Sequence, residues 1–163
     1  MTQKIFYSLL IFHLMLIACS VKKERQADTP THQVNEYPNI ILTLENGGTL
    51  PAREMKGKNI FVLFQPDCDH CQEEAAQFEE RLEDFKDYTI YFISSSPMEN
   101  IMTFAKTFNL DAKENVKFAW TSTEGVLNHY GPIQTPSVYI YSGGKLKKAF
   151  NGQTKIENIL AAL

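Results

Sequence analysis

Residues Phe64–Phe78 read FQPDCDHCQEEAAQF, and the order of events in this stretch decides the fold. Pro66 closes the run NIFVLFQ (Asn59–Gln65), which is nearly all apolar, as expected of a strand buried on both faces. Beyond it, Cys71, Ala75, Phe78, Leu82 and Phe85 recur at spacings of three and four, which predicts a helix from Cys68 to about Lys86. A buried strand thus hands two cysteines, Cys68 and Cys71, to the start of a helix. Residues three apart share a helix face. Cys68 is expected on the first turn with its sulfur exposed, and Cys71 one turn inward. That geometry suits a disulfide that opens and closes: the outer thiolate attacks and the inner thiol resolves. The helix terminus favours a thiolate at Cys68, while the carboxylates of Asp67 and Asp69 oppose it. Each effect is on the order of 1 kcal/mol, so charge alone does not set the direction of electron flow.

Outward from this core, IILTLENGGTLPA (40–52) reads as a strand, a Gly47-Gly48 turn and a second short strand. YTIYFISSS (88–96) is another strand. Ser96-Pro97-Met98-Glu99 matches a capping box with proline at the first helical position, and Ile101, Phe104, Ala105 and Phe108 form the apolar face of the helix it opens. VKFAW (116–120) is a short strand, and Glu124–His129 a helical turn. SVYIYSGGKLKKAF (137–150) is a hairpin around Gly143-Gly144. Thr154 and Glu157 match a second capping box, opening a terminal helix. Strands alternating with helices and closed by a hairpin predict an α/β domain with a mixed central sheet flanked by helices and an N-terminal β-hairpin extension. Phe61, Phe64, Phe78, Phe92, Phe104, Phe108, Tyr139 and Tyr141 are expected in the core. Trp120 reads as packing, and Lys145, Lys147 and Lys148 as a solvated hairpin face.

The 163-residue chain carries 16 basic and 19 acidic side chains, a net charge of −3, which gives no electrostatic case for binding nucleic acid. Its first eighteen residues differ in kind. After Lys4 comes an apolar run from Ile5 to Ala18, too short for a membrane-spanning helix of about 20 residues and suited to the apolar part of an export signal. Leu16-Ile17-Ala18-Cys19 resembles a bacterial lipobox, which implies cleavage before Cys19 and lipidation of that cysteine. An uncleaved anchor and a plain signal peptide are the alternatives. The expected organisation is a signal over 1–18, a lipidated Cys19 and polar tether over 19–39, and one domain over 40–163. Cleavage leaves Cys68 and Cys71 as the remaining free thiols, outside the reducing cytosol, where a disulfide persists.

With Cys68-x-x-Cys71 at a strand-to-helix junction, Thr135-Pro136 just ahead of the SVYIYS hairpin, and this element order, the chain resembles the thioredoxin-fold thiol-disulfide oxidoreductases from about Ile40 to Leu163. Within them it is similar to the membrane-tethered TlpA-like and ResA-like type. The resemblance implies that Pro136 is cis and lies beside the redox pair, and that Thr135 offers its backbone to an extended substrate segment by strand addition. It also implies a reductase acting on disulfides of cell-envelope proteins, facing the periplasm or exterior and recharged by a membrane thiol electron donor. It implies no bound organic cofactor. Glu74 matches a glutamate that some ResA-like proteins carry three residues after the second cysteine. It is expected to accept a proton from Cys71, against the alternative of a solvated helix glutamate beside Glu73. Two positions depart from the pattern: Asp67 stands where many members have tryptophan, and Val62 where thioredoxins have a buried acid.

Other chemistries fit parts of the same pattern. Cys68, Cys71 and His129 make a soft ligand set that suits a Cu(I)-binding metallochaperone. A peroxidase of the same fold would want threonine three residues before Cys68 and a nearby arginine; here that position is Gln65. A fold that has outlived its chemistry is the remaining alternative.

Overall fold

The structure is a computed structural model, and it describes residues 35–163. Cys19, the signal and most of the tether therefore lie outside the described residues. Seven strands form one mixed sheet in the order β2-β1-β5-β4-β3-β6-β7. They are β1 (Ile41–Leu44), β2 (Thr49–Pro51), β3 (Lys58–Leu63), β4 (Thr89–Ser94), β5 (Val116–Trp120), β6 (Ser137–Ser142) and β7 (Lys145–Asn151). The helices are α1 (Asp69–Glu80), α2 (Met98–Thr107), α3 (Thr123–Tyr130) and α4 (Ile156–Leu160). β3, β4 and β5 run parallel, whereas β1 and β6 join this trio antiparallel. The N-terminal hairpin thus extends the sheet past β5, and the closing hairpin extends it past β3. The β6–β7 turn places Gly143 and Gly144 at φ of 58° and 81°, the left-handed pair that a two-residue hairpin turn requires.

The apolar run at Asn59–Gln65 is explained by the two layers it separates. Alternate side chains of a strand point to opposite faces. Ile60 and Val62 enter one core cluster, with Cys71, Ala75 and Phe78 of α1, Ile101 and Phe104 of α2, and Ile156 and Ile159 of α4. Phe61 and Leu63 enter the other, with Tyr139, Tyr141, Val126 of α3 and Leu42 of the hairpin. The first layer is organised around Phe92, whose ring meets those of Phe64, Phe78, Phe104 and Phe118 at centroid distances of 5.8, 5.6, 6.4 and 5.2 Å. Burying each such ring stabilises the fold by roughly 1.5–3 kcal/mol. Packing begins upstream of Ile40. Tyr37 is buried, stacks on Tyr141 at 4.5 Å and accepts a hydrogen bond from Asn59 Nδ2, while Glu36 pairs with Lys145.

Several local expectations need correction. The helix after Cys68 stops at Glu80, and a separate 3-10 turn over Leu82–Phe85 carries the remaining apolar residues inward. The Ser96 hydroxyl does not cap α2. It donates to Gln65 Oε1 at 2.7 Å, and Pro97 occupies the cap position without a side-chain bond. Lys155 rather than Thr154 stands at the cap of α4, because the Thr154 N–H is taken by Glu74 Oε1. The expected turn at Glu124–His129 is a full helix, capped by Ser122, whose Oγ accepts from Gly125 N at 3.1 Å. Phe108 is half-buried rather than core, and Trp120 is exposed, with its indole N–H on the Ser95 carbonyl at 3.2 Å. Lys145 is not merely solvated, since it holds Glu36, and Lys148 lies over the Phe150 ring.

Candidate active site

The carboxyl ends of the parallel strands β3, β4 and β5 and the start of antiparallel β6 meet at one edge of the sheet. In open α/β sheets this edge is where ligands bind. Pro66 breaks the chain after β3, and Cys68 becomes the cap of α1 rather than a residue of its first turn. Its backbone is extended, and its sulfur accepts from Cys71 N at 3.4 Å, where most helices place a serine or aspartate oxygen. The Gln65 carbonyl accepts from Cys68 N at 3.2 Å, and Gln72 Nε2 donates to the Pro66 carbonyl at 3.0 Å, so the turn before the helix is held at both ends.

Cys68 is partly exposed, Cys71 is buried, and neither sulfur is bonded to another. Burial pushes the Cys71 thiol up to about 12, and the neighbouring Cys68 sulfur adds to the shift; the Gln65 backbone and the Thr135 side chain oppose it. Cys71 therefore stays protonated at neutral pH. His70 Nδ1 lies 3.7 Å from Glu73 Oε2, and both side chains are exposed.

Thr135-Pro136 is cis and stands opposite the pair, with Cys68 Sγ 3.7 Å from the Thr135 carbonyl oxygen. That contact brings together residues 67 apart in sequence. Along an extended segment, backbone groups alternate in direction. Gln134 N donates to Asn151 Oδ1, and the Pro136 carbonyl accepts from Gly152 N. Both face β7, so Thr135 between them turns its own backbone toward Cys68.

Glu74 is buried, not solvated, with 1% of its surface exposed. Burial raises its carboxyl to about 7, tempered by the hydrogen bond from Thr154 N to Oε1 at 3.3 Å, and Oε2 has no partner among the described residues. It lies three residues after Cys71, on the same face of α1, at the spacing that puts Cβ atoms about 5–6 Å apart. Val62 is buried in the core below the site.

Two contributors escaped the sequence reading. Gln65 Oε1 accepts from both Ser94 and Ser96, tying the turn after β3 to the end of β4. Asn151 fastens the other side, as described below. A polar residue ending an apolar strand was the available signal for Gln65; Asn151 left none. Among the described residues, no group of three or more His, Cys, Asp and Glu side chains is placed to hold a metal ion. His129 sits on α3 with its ring edge-on to Tyr130. The two arginines among the described residues lie elsewhere in the fold: Arg81 reaches Asp84 and Glu157, and Arg53 lies in the 3-10 turn after β2.

The profile of the AhpC/TSA family matches residues 34–150. Among solved structures, a secreted Mycobacterium tuberculosis disulfide oxidoreductase, homologous to E. coli DsbE, superposes with a TM-score of 0.61 at 17% identity, covering 77% of this chain and 96% of the other. StoA from Bacillus subtilis gives 0.59 at 15% identity, with 77% and 96% covered. A peroxiredoxin-like protein from Aquifex aeolicus gives 0.65 at 13% identity, with 78% and 82% covered. At these identities the structural likeness establishes the fold. No curated protein is a significant match by sequence.

Proposed function

Because the chain belongs to the AhpC/TSA family and has the thioredoxin-like fold of a redox enzyme, we propose that it is a thiol-disulfide oxidoreductase using Cys68 and Cys71. The observation that carries this reading is the partly exposed Cys68 sulfur, 3.7 Å from the carbonyl of Thr135 beside cis-Pro136, with a buried Cys71 behind it. A partner segment pairs with the Thr135 backbone, which brings its disulfide to Cys68. The Cys68 thiolate attacks one partner sulfur, the partner S–S bond breaks, and the departing sulfur takes up a proton. Cys71 then loses its proton and attacks Cys68. The second partner sulfur leaves, and two electrons have passed from the Cys68–Cys71 pair to the partner.

The second step needs a base, since Cys71 is pushed up to about 12. Glu74 is assigned that role, as a buried carboxyl near neutrality on the same helix face. The direction is reduction. The resemblance to the TlpA-like and ResA-like type supports this direction. The substrates are disulfides of envelope proteins, a membrane thiol donor restores the dithiol, and lipidation at Cys19 anchors the chain. The paired thiols and the secreted character of the M. tuberculosis oxidoreductase of the same fold support this setting. No helix among the described residues is long and apolar enough to cross a membrane.

The test is turnover of a polypeptide disulfide such as insulin by wild type, Cys68→Ser and Cys71→Ser, together with the reduction potential of the pair. Loss of turnover in both variants and a potential below about −180 mV are expected. A potential near the strongly oxidising value of about −120 mV reverses the direction. Undiminished turnover in Cys68→Ser removes the reading altogether.

A further inference from the structure

The segment Asn151–Thr154, which links β7 to α4, touches both halves of the site. At its start, Asn151 Oδ1 accepts from Gln134 N at 2.7 Å and lies 3.0 Å from Ser137 Oγ. The single hydroxyl proton of Ser137 is shared between that oxygen and the Gln134 carbonyl. Gly152 N donates to the Pro136 carbonyl at 3.0 Å. Residues 134, 136 and 137 are thereby fastened on the side facing β7, which leaves Thr135 turned toward Cys68. At the other end, Gln153 Nε2 donates to Glu73 Oε2 at 2.6 Å and Thr154 N to Glu74 Oε1 at 3.3 Å. Both carboxylates belong to the helix that carries the thiols. Gly152 has φ +94°, and a Cβ there would meet Gln134 Oε1 at 3.0 Å, so glycine suits this close approach.

We propose that Asn151 is a positioning residue of the exchange site: its side-chain oxygen sets the Gln134–Ser137 edge against Cys68, and the three residues after it tie that edge to α1. The inference rests on the exchange function assigned to Cys68 and Cys71. Asn151 touches no reacting atom and acts through Thr135. Its role is confined to partners that dock as an extended chain. A small disulfide needs access to Cys68 and no pairing with Thr135.

The experiment compares two oxidants, insulin and bis(2-hydroxyethyl) disulfide, with the reduced full-length protein. For Asn151→Ala the rate constant with insulin is expected to fall about tenfold, the effect of losing hydrogen bonds that orient an edge. The rate with the small disulfide is expected to stay within about twofold. Asn151→Asp keeps the acceptor oxygen and is expected to restore the insulin rate. An equal fall with both oxidants, an unchanged insulin rate, or failure of Asn151→Asp to restore it overturns the proposal. A wild-type protein inert toward both oxidants is a different result, because it removes the exchange function itself and this role with it.

Discussion

The Cys68 sulfur points at the Thr135 carbonyl oxygen, 3.7 Å away and at the opening of β6. An S–H is a weak donor, so the contact contributes little energy. Its value is geometric, since a polypeptide paired with Thr135 is already within reach of the attacking sulfur. Cys71, three residues on, is enclosed by the core.

This difference in access is measurable. Iodoacetamide added to the native dithiol is expected to alkylate Cys68 and leave Cys71 intact, with both modified after unfolding. Peptide mass spectrometry locates the label. Modification of native Cys71 ahead of Cys68 would assign the roles the other way round.

Glu74 makes stability depend on pH in a stated direction. Burial raises its carboxyl from the ordinary 4.5 to about 7. Between those values the folded chain holds a proton that the unfolded chain has released. The associated stability is complete below about pH 4.5 and is lost as pH rises through about 7. Glu74→Gln cannot ionise. It is expected to be near-neutral at the acid end and to stabilise by roughly 3 kcal/mol at about pH 8.5, read by denaturant unfolding.

The same variant tests the proton path. Where wild-type Glu74 is protonated it offers no base, so the two proteins are expected to resolve a mixed disulfide at similar rates. Above about pH 7 the wild type is expected to pull ahead. Stopped-flow resolution rates across pH decide this. Parallel profiles would leave Glu74 as a packing residue only.

Three hydroxyls look alike in sequence and are expected to behave differently. Ser122 caps α3, so Ser122→Ala is expected to cost about 1 kcal/mol. Ser96→Ala removes the bond to Gln65 and is expected to cost a similar amount, about 1 kcal/mol, through the site turn rather than through α2. The Thr154 hydroxyl accepts from the exposed Asn158 Nδ2 at 3.3 Å, so Thr154→Ala is expected within about 0.5 kcal/mol of wild type. Denaturant midpoints separate Thr154→Ala from the other two, and a large loss in Thr154→Ala would restore the capping box.

Removing a ring from the aromatic layer probes the core. Phe92→Ala deletes a side chain in contact with four other phenylalanines and is expected to cost about 3–5 kcal/mol. A loss below about 1 kcal/mol would mean that the layer is not close-packed.

These cases show why part of the molecule was legible in sequence and part was not. Strand β5 matches its reading residue for residue, and β3 and β6 were evident, because burial on both faces leaves an apolar run that only the core can accommodate. The thiols were legible because a two-residue spacing at a strand-to-helix junction is a local pattern. The capping boxes at Ser96 and Thr154 failed because tertiary partners claimed those groups: Gln65 took the Ser96 hydroxyl, and Glu74 took the Thr154 amide. The helix from Cys68 was read too long because Leu82 and Phe85 keep helical spacing while the chain turns. The burial of Glu74 depends on a loop 80 residues away, and Asn151 meets Gln134 across 17, so neither relation is visible in a local window.

The most direct measurement is capture of the exchange intermediate. Full-length protein carrying Cys71→Ser is mixed with insulin, quenched in acid, and analysed by non-reducing mass spectrometry with peptide mapping. The expected result is a covalent insulin adduct through Cys68, absent in Cys68→Ser and transient in wild type. An adduct through Cys71 in Cys68→Ser, or none in any variant, would contradict the account.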